Sequence, residues 1–189
     1  MIWEVIASSF TLVAASEMGD KTQLLAFSLA GRFRRPWTVM AGILVATLAN
    51  HALASSLGAW VSAHVPPRVM AGVLAASFIG FGIWALRPDT CDDEDKPGRF
   101  GPFVTTMVLF FLAEMGDKTQ LATLALAARF GSAVFVTIGT TLGMLASDGL
   151  AVFLGEKFAA KVQGRWLRRG AAGLFFVFGL ASAWSAVRG

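Results

Sequence analysis

The stretch Glu17-Met18-Gly19-Asp20-Lys21-Thr22-Gln23-Leu24 recurs letter for letter as Glu114-Met115-Gly116-Asp117-Lys118-Thr119-Gln120-Leu121, 97 positions later. Each copy puts charge where charge is costly. Residues 5–16 and 24–30 flank the first copy with almost wholly apolar sequence, and residues 103–113 and 122–128 flank the second. Neither flank alone can cross a bilayer, but the two joined through the motif reach the roughly 20 residues a helical crossing needs. A Glu, an Asp and a Lys therefore lie inside each hydrophobic segment. A charge at the centre of such a helix costs about 2.5–3.5 kcal/mol on insertion scales, so intramembrane ionisable residues point to function. The pair of motifs reads as an ion site.

The remaining chain supports a membrane setting. It is 56% hydrophobic and 15% charged, with a mean hydropathy of +0.64, above the range of a soluble domain, and 189 residues make one membrane domain. Six apolar segments can be drawn, at about 4–30, 38–62, 67–87, 103–129, 132–154 and 169–187. Polar breaks separate them: 31–36 with its three arginines, 64–68 with two prolines, and the solvated stretch 87–99. Residues 156–169 are basic and read as an amphipathic piece at the interface.

The duplication extends beyond the motif. Laying residues 17–83 on 114–180 without a gap gives 27 identities in 67 positions, among them Arg32/Arg129, Gly42/Gly139 and Phe81-Gly82/Phe178-Gly179. The expected fold is thus an all-α membrane protein of six transmembrane helices. Repeat 1 covers about 1–87, an acidic linker 88–99, and repeat 2 about 100–189. Three helices per repeat is an odd number, so the second copy enters the membrane from the opposite side, the inverted-repeat plan of many secondary transporters, whose site lies near the midplane.

Eleven Lys and Arg residues fall on one side of this arrangement and three on the other, with Lys21 and Lys118 inside. The positive-inside rule then puts both termini outside the cytoplasm and the acidic linker within it. Basic residues clustered in short loops in this way speak for membrane orientation and against nucleic acid. Ala14-Ala15-Ser16 has the look of a cleavage site, yet Glu4 and the lack of any Lys or Arg before it are wrong for a signal peptide, so no cleavage is expected. The single cysteine, Cys91, excludes an intramolecular disulfide and a cysteine-based metal site.

Glu17 and Asp20, like Glu114 and Asp117, are three apart and share a helix face. Gly19 and Gly116 permit either close helix approach or a break that frees backbone carbonyls. If the two faces meet, four carboxylates, the amide oxygens of Gln23 and Gln120, and the hydroxyls of Thr22 and Thr119 surround one or two positions. That all-oxygen shell suits magnesium, calcium or manganese. In the bland alternative, Glu17/Lys21 and Glu114/Lys118 are i,i+4 pairs that clasp two helices. Under the functional reading the lysines moderate negative charge or snorkel toward one entrance.

The second and fifth segments carry small residues at four-residue spacing, Gly42/Ala46/Asn50 and Gly139/Gly143/Ser147, which mark close helix packing in lipid. Asn50 aligns with Ser147 and His51 with Asp148. Asp148 is the better candidate for a fifth carboxylate or a proton carrier, and His51 reads equally as a packing residue. Met18 and Met115 are core or lipid-facing filler or soft ligands. The six tryptophans near segment ends are interfacial anchors. The Asp92-Asp93-Glu94-Asp95 run lacks an EF-hand's spacing and reads as solvated linker.

Two copies of Glu-x-Gly-Asp-Lys/Arg-Thr/Ser, one per half and joined by an acidic linker, resemble the hallmark of a cation-exchanger family. Its eukaryotic members are Golgi manganese and calcium transporters, and its bacterial members are manganese exporters. Both motifs match it without departure. The resemblance implies a cation/proton antiporter with Glu17, Asp20, Glu114 and Asp117 as cation ligands and Thr22 and Thr119 at the same sites. It implies the bacterial branch, hence a plasma-membrane exporter of manganese with a proton as counter-ion, no cofactor, and calcium as the alternative cargo. The rival readings are an amino-acid exporter, as in more distant relatives, and a non-transporting scaffold. No nucleophile–base set or HExxH pair suggests an enzyme. The sequence leaves the oligomeric state open.

Overall fold

The computed structural model describes residues 2–86, 100–154 and 165–188. The expected linker 88–99, with Cys91 and the acidic run in it, and most of the basic connection expected at 156–169 lie outside them.

The described residues form eight helices: α1 Ile2–Glu17, α2 Lys21–Phe33, α3 Pro36–His64, α4 Pro67–Ala85, α5 Pro102–Glu114, α6 Lys118–Phe130, α7 Ala133–Leu154 and α8 Arg165–Arg188. Proline at the first turn starts α3, α4 and α5, where its missing N–H costs nothing. Helices α3, α4 and α7 and residues 169–188 of α8 are long and apolar enough to cross a membrane, and α5 is a shorter apolar helix. This is an all-helical membrane protein. The first and fourth apolar segments of the sequence are each interrupted at the motif, α1 giving way to α2 and α5 to α6.

The helix pairings follow the duplication. Helix α1 lies along α7, α5 lies along α3, and α4 pairs with α8. Glycines set the first two contacts. A Cβ on Gly139 would fall 2.6 Å from the Ile6 carbonyl and 2.8 Å from Ser9 Cβ, and one on Gly143 would fall 2.7 Å from the Phe10 carbonyl. A Cβ on Gly42 would meet Thr106 Cβ at 2.8 Å and the Phe103 carbonyl at 2.9 Å. Ser9 and Thr106 are themselves equivalent in the duplication, so the same joint is built twice. Lipid supplies no hydrophobic drive between helices, so close backbone approach is what holds such pairs. The α4/α8 pair joins close glycines to aromatic rings, with Gly82 against the Phe176 ring, Gly179 against Ile79, Phe78 against Phe178 and Phe81 against Phe175.

Trp3, Trp37, Trp60 and Trp184 sit near helix ends with their rings largely exposed, as interfacial anchors do. Arg129 donates to Ser182 Oγ at 2.6 Å and packs over the Phe178 ring, tying the end of α6 to α8.

Overpacking a joint of this kind costs about 1–3 kcal/mol or more. Gly139→Leu should therefore lower the thermal unfolding midpoint of the detergent-solubilised protein. Gly72→Leu, where an added Cβ meets nothing within 4 Å, should not.

Candidate metal centre

The motif is a recipe for ending one helix and starting another in the middle of an apolar segment. Glu114 is the last residue of α5. Met115 (φ −67, ψ 117) and Gly116 (φ +79) then form a type II turn, closed by the Asp117 N–H on the Glu114 carbonyl at 3.2 Å. Only glycine adopts that third position without strain. The first copy repeats the geometry, with Gly19 at φ +81 and the Asp20 N–H on the Glu17 carbonyl at 3.1 Å. Each Asp is the N-cap of the following helix. The Gln three residues on reaches back over the turn: Gln23 Oε1 accepts from the Gly19 N–H at 3.0 Å, and Gln120 Oε1 from the Gly116 N–H at 2.7 Å. This is a capping box shifted by one residue. The Gln amide NH2 then crosses to the other copy. Gln23 Nε2 donates to the Ser147 carbonyl at 3.0 Å, and Gln120 Nε2 to Asn50 Oδ1 at 3.4 Å, while Asn50 Nδ2 holds the Phe111 carbonyl at 3.0 Å.

The two breaks meet. Carboxylate oxygens of Glu17, Glu114 and Asp117 lie within 4.8 Å of one another, all three residues buried. Like charges at that separation repel strongly unless a cation or protons lie among them. Glu17 accepts hydrogen bonds from Thr22 Oγ1, at 2.8 Å, and from Thr119 Oγ1. Both oxygens of Glu114 and Oδ2 of Asp117 accept none. Two ion pairs cross between the copies, the first partly exposed and the second buried: Lys21 Nζ to Asp117 Oδ1 at 3.0 Å and Lys118 Nζ to Asp20 Oδ2 at 2.8 Å. The N-termini of α2 and α6 also point their partial positive charge into this region.

The family described as "Divalent cation/proton antiporter GDT1" matches residues 5–93 and 102–189. The chain belongs to this family. A Vibrio cholerae protein named "Putative manganese exporter" is 45% identical over 183 residues, spanning 96% of this chain and 92% of its own length. GDT1-like protein sll0615 of Synechocystis is 31% identical, spanning 93% and 95%. GDT1-like protein 3 of Oryza sativa is 26% identical, spanning 96% and 74%. No solved structure matches.

Within this GDT1 protein the structure sorts the residues singled out from sequence. It brings Glu17, Glu114 and Asp117 together, with the hydroxyls of Thr22 and Thr119 on Glu17 rather than turned to a cation. Asp20 is turned away to other work: its Oδ1 accepts from the Lys21 N–H at 2.7 Å and its Oδ2 holds Lys118. The amide oxygens of Gln23 and Gln120, expected among the ligands, serve the glycine N–H groups instead. The expected i,i+4 Glu–Lys clasp is replaced by lysine–aspartate pairs between the copies, because the turn at each glycine separates Glu and Lys onto different helices. Asn50 and Ser147 are the anchor points for the glutamines. Asp148 is fully buried, both its oxygens accept no hydrogen bond, and it lies within electrostatic reach of Glu17 and Glu114. His51, its equivalent on α3, is equally buried, with neither ring nitrogen bonded. The Asp-x-x-Gln spacing of a capping box was the signal for the role of the glutamines.

A side chain at a left-handed position costs about 1–2 kcal/mol relative to glycine. Gly116→Ala should lose about that much stability on unfolding, and the loss is conformational, because no atom lies within 4 Å of the added Cβ. Equal stability of variant and wild type would rule out the turn as drawn.

Proposed function

We propose that this GDT1 protein exports manganese from the cytoplasm in exchange for protons, through a site made by Glu17, Glu114 and Asp117 with Asp20, Thr22 and Thr119 around it. The observation that carries the reading is Glu114, a buried carboxylate with no hydrogen-bond donor on either oxygen, facing two further carboxylates within 4.8 Å. Such a group calls for a cation. All the donors are oxygens, which suits manganese or calcium and disfavours copper or zinc. The name of the Vibrio cholerae relative favours manganese, and the oxygen shell itself keeps calcium as the second reading.

The protein is read as one transmembrane domain over residues 1–189, built of six spans in two inverted three-helix repeats. Four pieces of geometry support that plan: the twin breaks, the twin glycine joints, the parallel run of α1 with α7 and α3 with α5, and the crossed glutamine bridges. The distribution of Lys and Arg supports both termini outside the cytoplasm in a plasma membrane. In transport, the carboxylates take the cation from the cytoplasmic side, and protons arriving from outside compete for the same oxygens. Asn50 and Ser147 hold the breaks in register, and Asp148 stands behind Glu17 as an additional acid.

Manganese flux in proteoliposomes, with luminal pH followed, tests this. Wild type should move manganese against protons, and Glu114→Gln should abolish that movement while unfolding near the wild-type midpoint. Calcium flux alone would change the cargo and keep the mechanism. No flux of either ion from folded protein would leave the motif as a structural clasp.

A further inference from the structure

The two motifs are identical in sequence, yet their lysines are not equivalent in the fold. Lys118 is buried, its side chain 4% exposed, and it grips Asp20, whose other oxygen caps α2. Asp20 does not share the cluster of three carboxylates. That pair joins α6 to the start of α2, with Lys118 also within electrostatic reach of Glu17. Lys21 is 34% exposed and holds Asp117 through Oδ1 alone, leaving Oδ2 without a hydrogen bond. Asp117 is a member of the cluster. Glu114 and Asp20 also lie within electrostatic reach of the Lys21 ammonium, so leaving Asp117 does not take it out of the field of the site.

Resting on the cation-export reading above, we infer that Lys21 is a positioning residue that acts through Asp117. Its ammonium holds the carboxylate in place until a divalent cation takes over that oxygen, and it returns to help displace the cation on release. The physical basis is competition for one oxygen. A divalent ion brings twice the charge and accepts several oxygens at once, whereas the ammonium is a single point charge on a flexible stem that can swing toward water. Lys118, buried against Asp20 and within electrostatic reach of Glu17, lacks that exposure and stays in place. The cation free to swing away is thereby the one in the first repeat, and its return keeps the site from holding manganese too tightly to release it.

Manganese binding by purified protein, followed by the paramagnetic resonance of the free ion, and manganese flux in proteoliposomes test this together. Lys21→Gln should bind manganese about tenfold tighter, a modest figure because the lysine is partly screened by solvent. Its turnover should fall, with an unfolding midpoint like wild type. Lys21→Arg should bind manganese more weakly than wild type, because a guanidinium can take both oxygens of Asp117. Lys118→Gln should instead lower the unfolding midpoint. Wild-type affinity in Lys21→Gln overturns the inference, and so does tighter binding with unchanged turnover, the mark of a bystander charge. Should Lys21→Gln fail to fold, Lys21→Arg decides, and wild-type affinity there is fatal. A wild type that binds no manganese sinks the cation-site reading itself. Wild-type binding unaltered by either Lys21 change sinks only the role given to Lys21.

Discussion

Everything in this fold depends on holding carboxylates where there is no water to solvate them. A lone carboxylate in hydrocarbon would be driven to take up a proton or to leave the membrane. The chain meets this by breaking two apolar segments at the motif and pressing the breaks together. Each break supplies a helix N-terminus, a glycine turn whose N–H is covered by a glutamine, and a lysine for the aspartate of the other copy. Irregular backbone at membrane depth survives only when its polar groups are satisfied in this way. The glycine joints of α1 with α7 and α3 with α5 then follow, because the crossed hydrogen bonds form only when those backbones come close.

Duplication supplies two copies of the motif, and the fold does not treat them alike. Glu17 receives two threonine hydroxyls, one from each copy, and Glu114 receives none. Asp20 is absorbed by a cap and a buried lysine, and Asp117 keeps an oxygen for the cluster. Position 51 is a histidine and its equivalent at 148 is an aspartate, which puts one extra acid within electrostatic reach of both glutamates. One glutamate is thus held by two hydroxyls, and the other keeps its full bonding capacity. A symmetric pair would either both be quenched by hydroxyls or both be bare.

Much of this was legible in the residues alone. The identical octapeptides inside apolar segments announced a buried polar site, and small residues at four-residue spacing marked Gly42, Gly139 and Gly143 for close helix packing. What remained hidden has a common cause. Periodicity treats Glu17 to Lys21 as one helical face, and so it drew an i,i+4 pair and a four-carboxylate shell. Once Gly19 takes φ +81 the helix phase is lost, and everything after the turn points by new rules. Gln23 and Gln120 then belong to the turn, and Lys21 faces the other copy. Which threonine meets which glutamate is set by how the two breaks stack, a long-range fact that spacing within one motif does not carry.

The same stacking limits how such a molecule can move. Helix α1 is bound to α7 and α5 to α3, so the helices of the two sequence halves are interleaved and do not form two separate bodies. Rocking residues 2–86 as one rigid unit against the rest would have to separate Gly139 from Ile6 and Ser9, and Gly42 from Phe103 and Thr106. Those contacts are already at the closest approach that a missing side chain allows. Packed interfaces of this kind shift between discrete arrangements and do not deform smoothly. The half-helix with the fewest such ties is α2, whereas α6 packs tightly on α3, where Gly58 lies against the Leu124 carbonyl. Helix α2 leaves more of its surface uncovered than α6, which is buried along most of its length. Strain from exchanging a cation for an ammonium at Asp117 would fall first on the turn between α5 and α6 and on the first turn of α2. Those are the places where glycine makes the backbone easiest to turn.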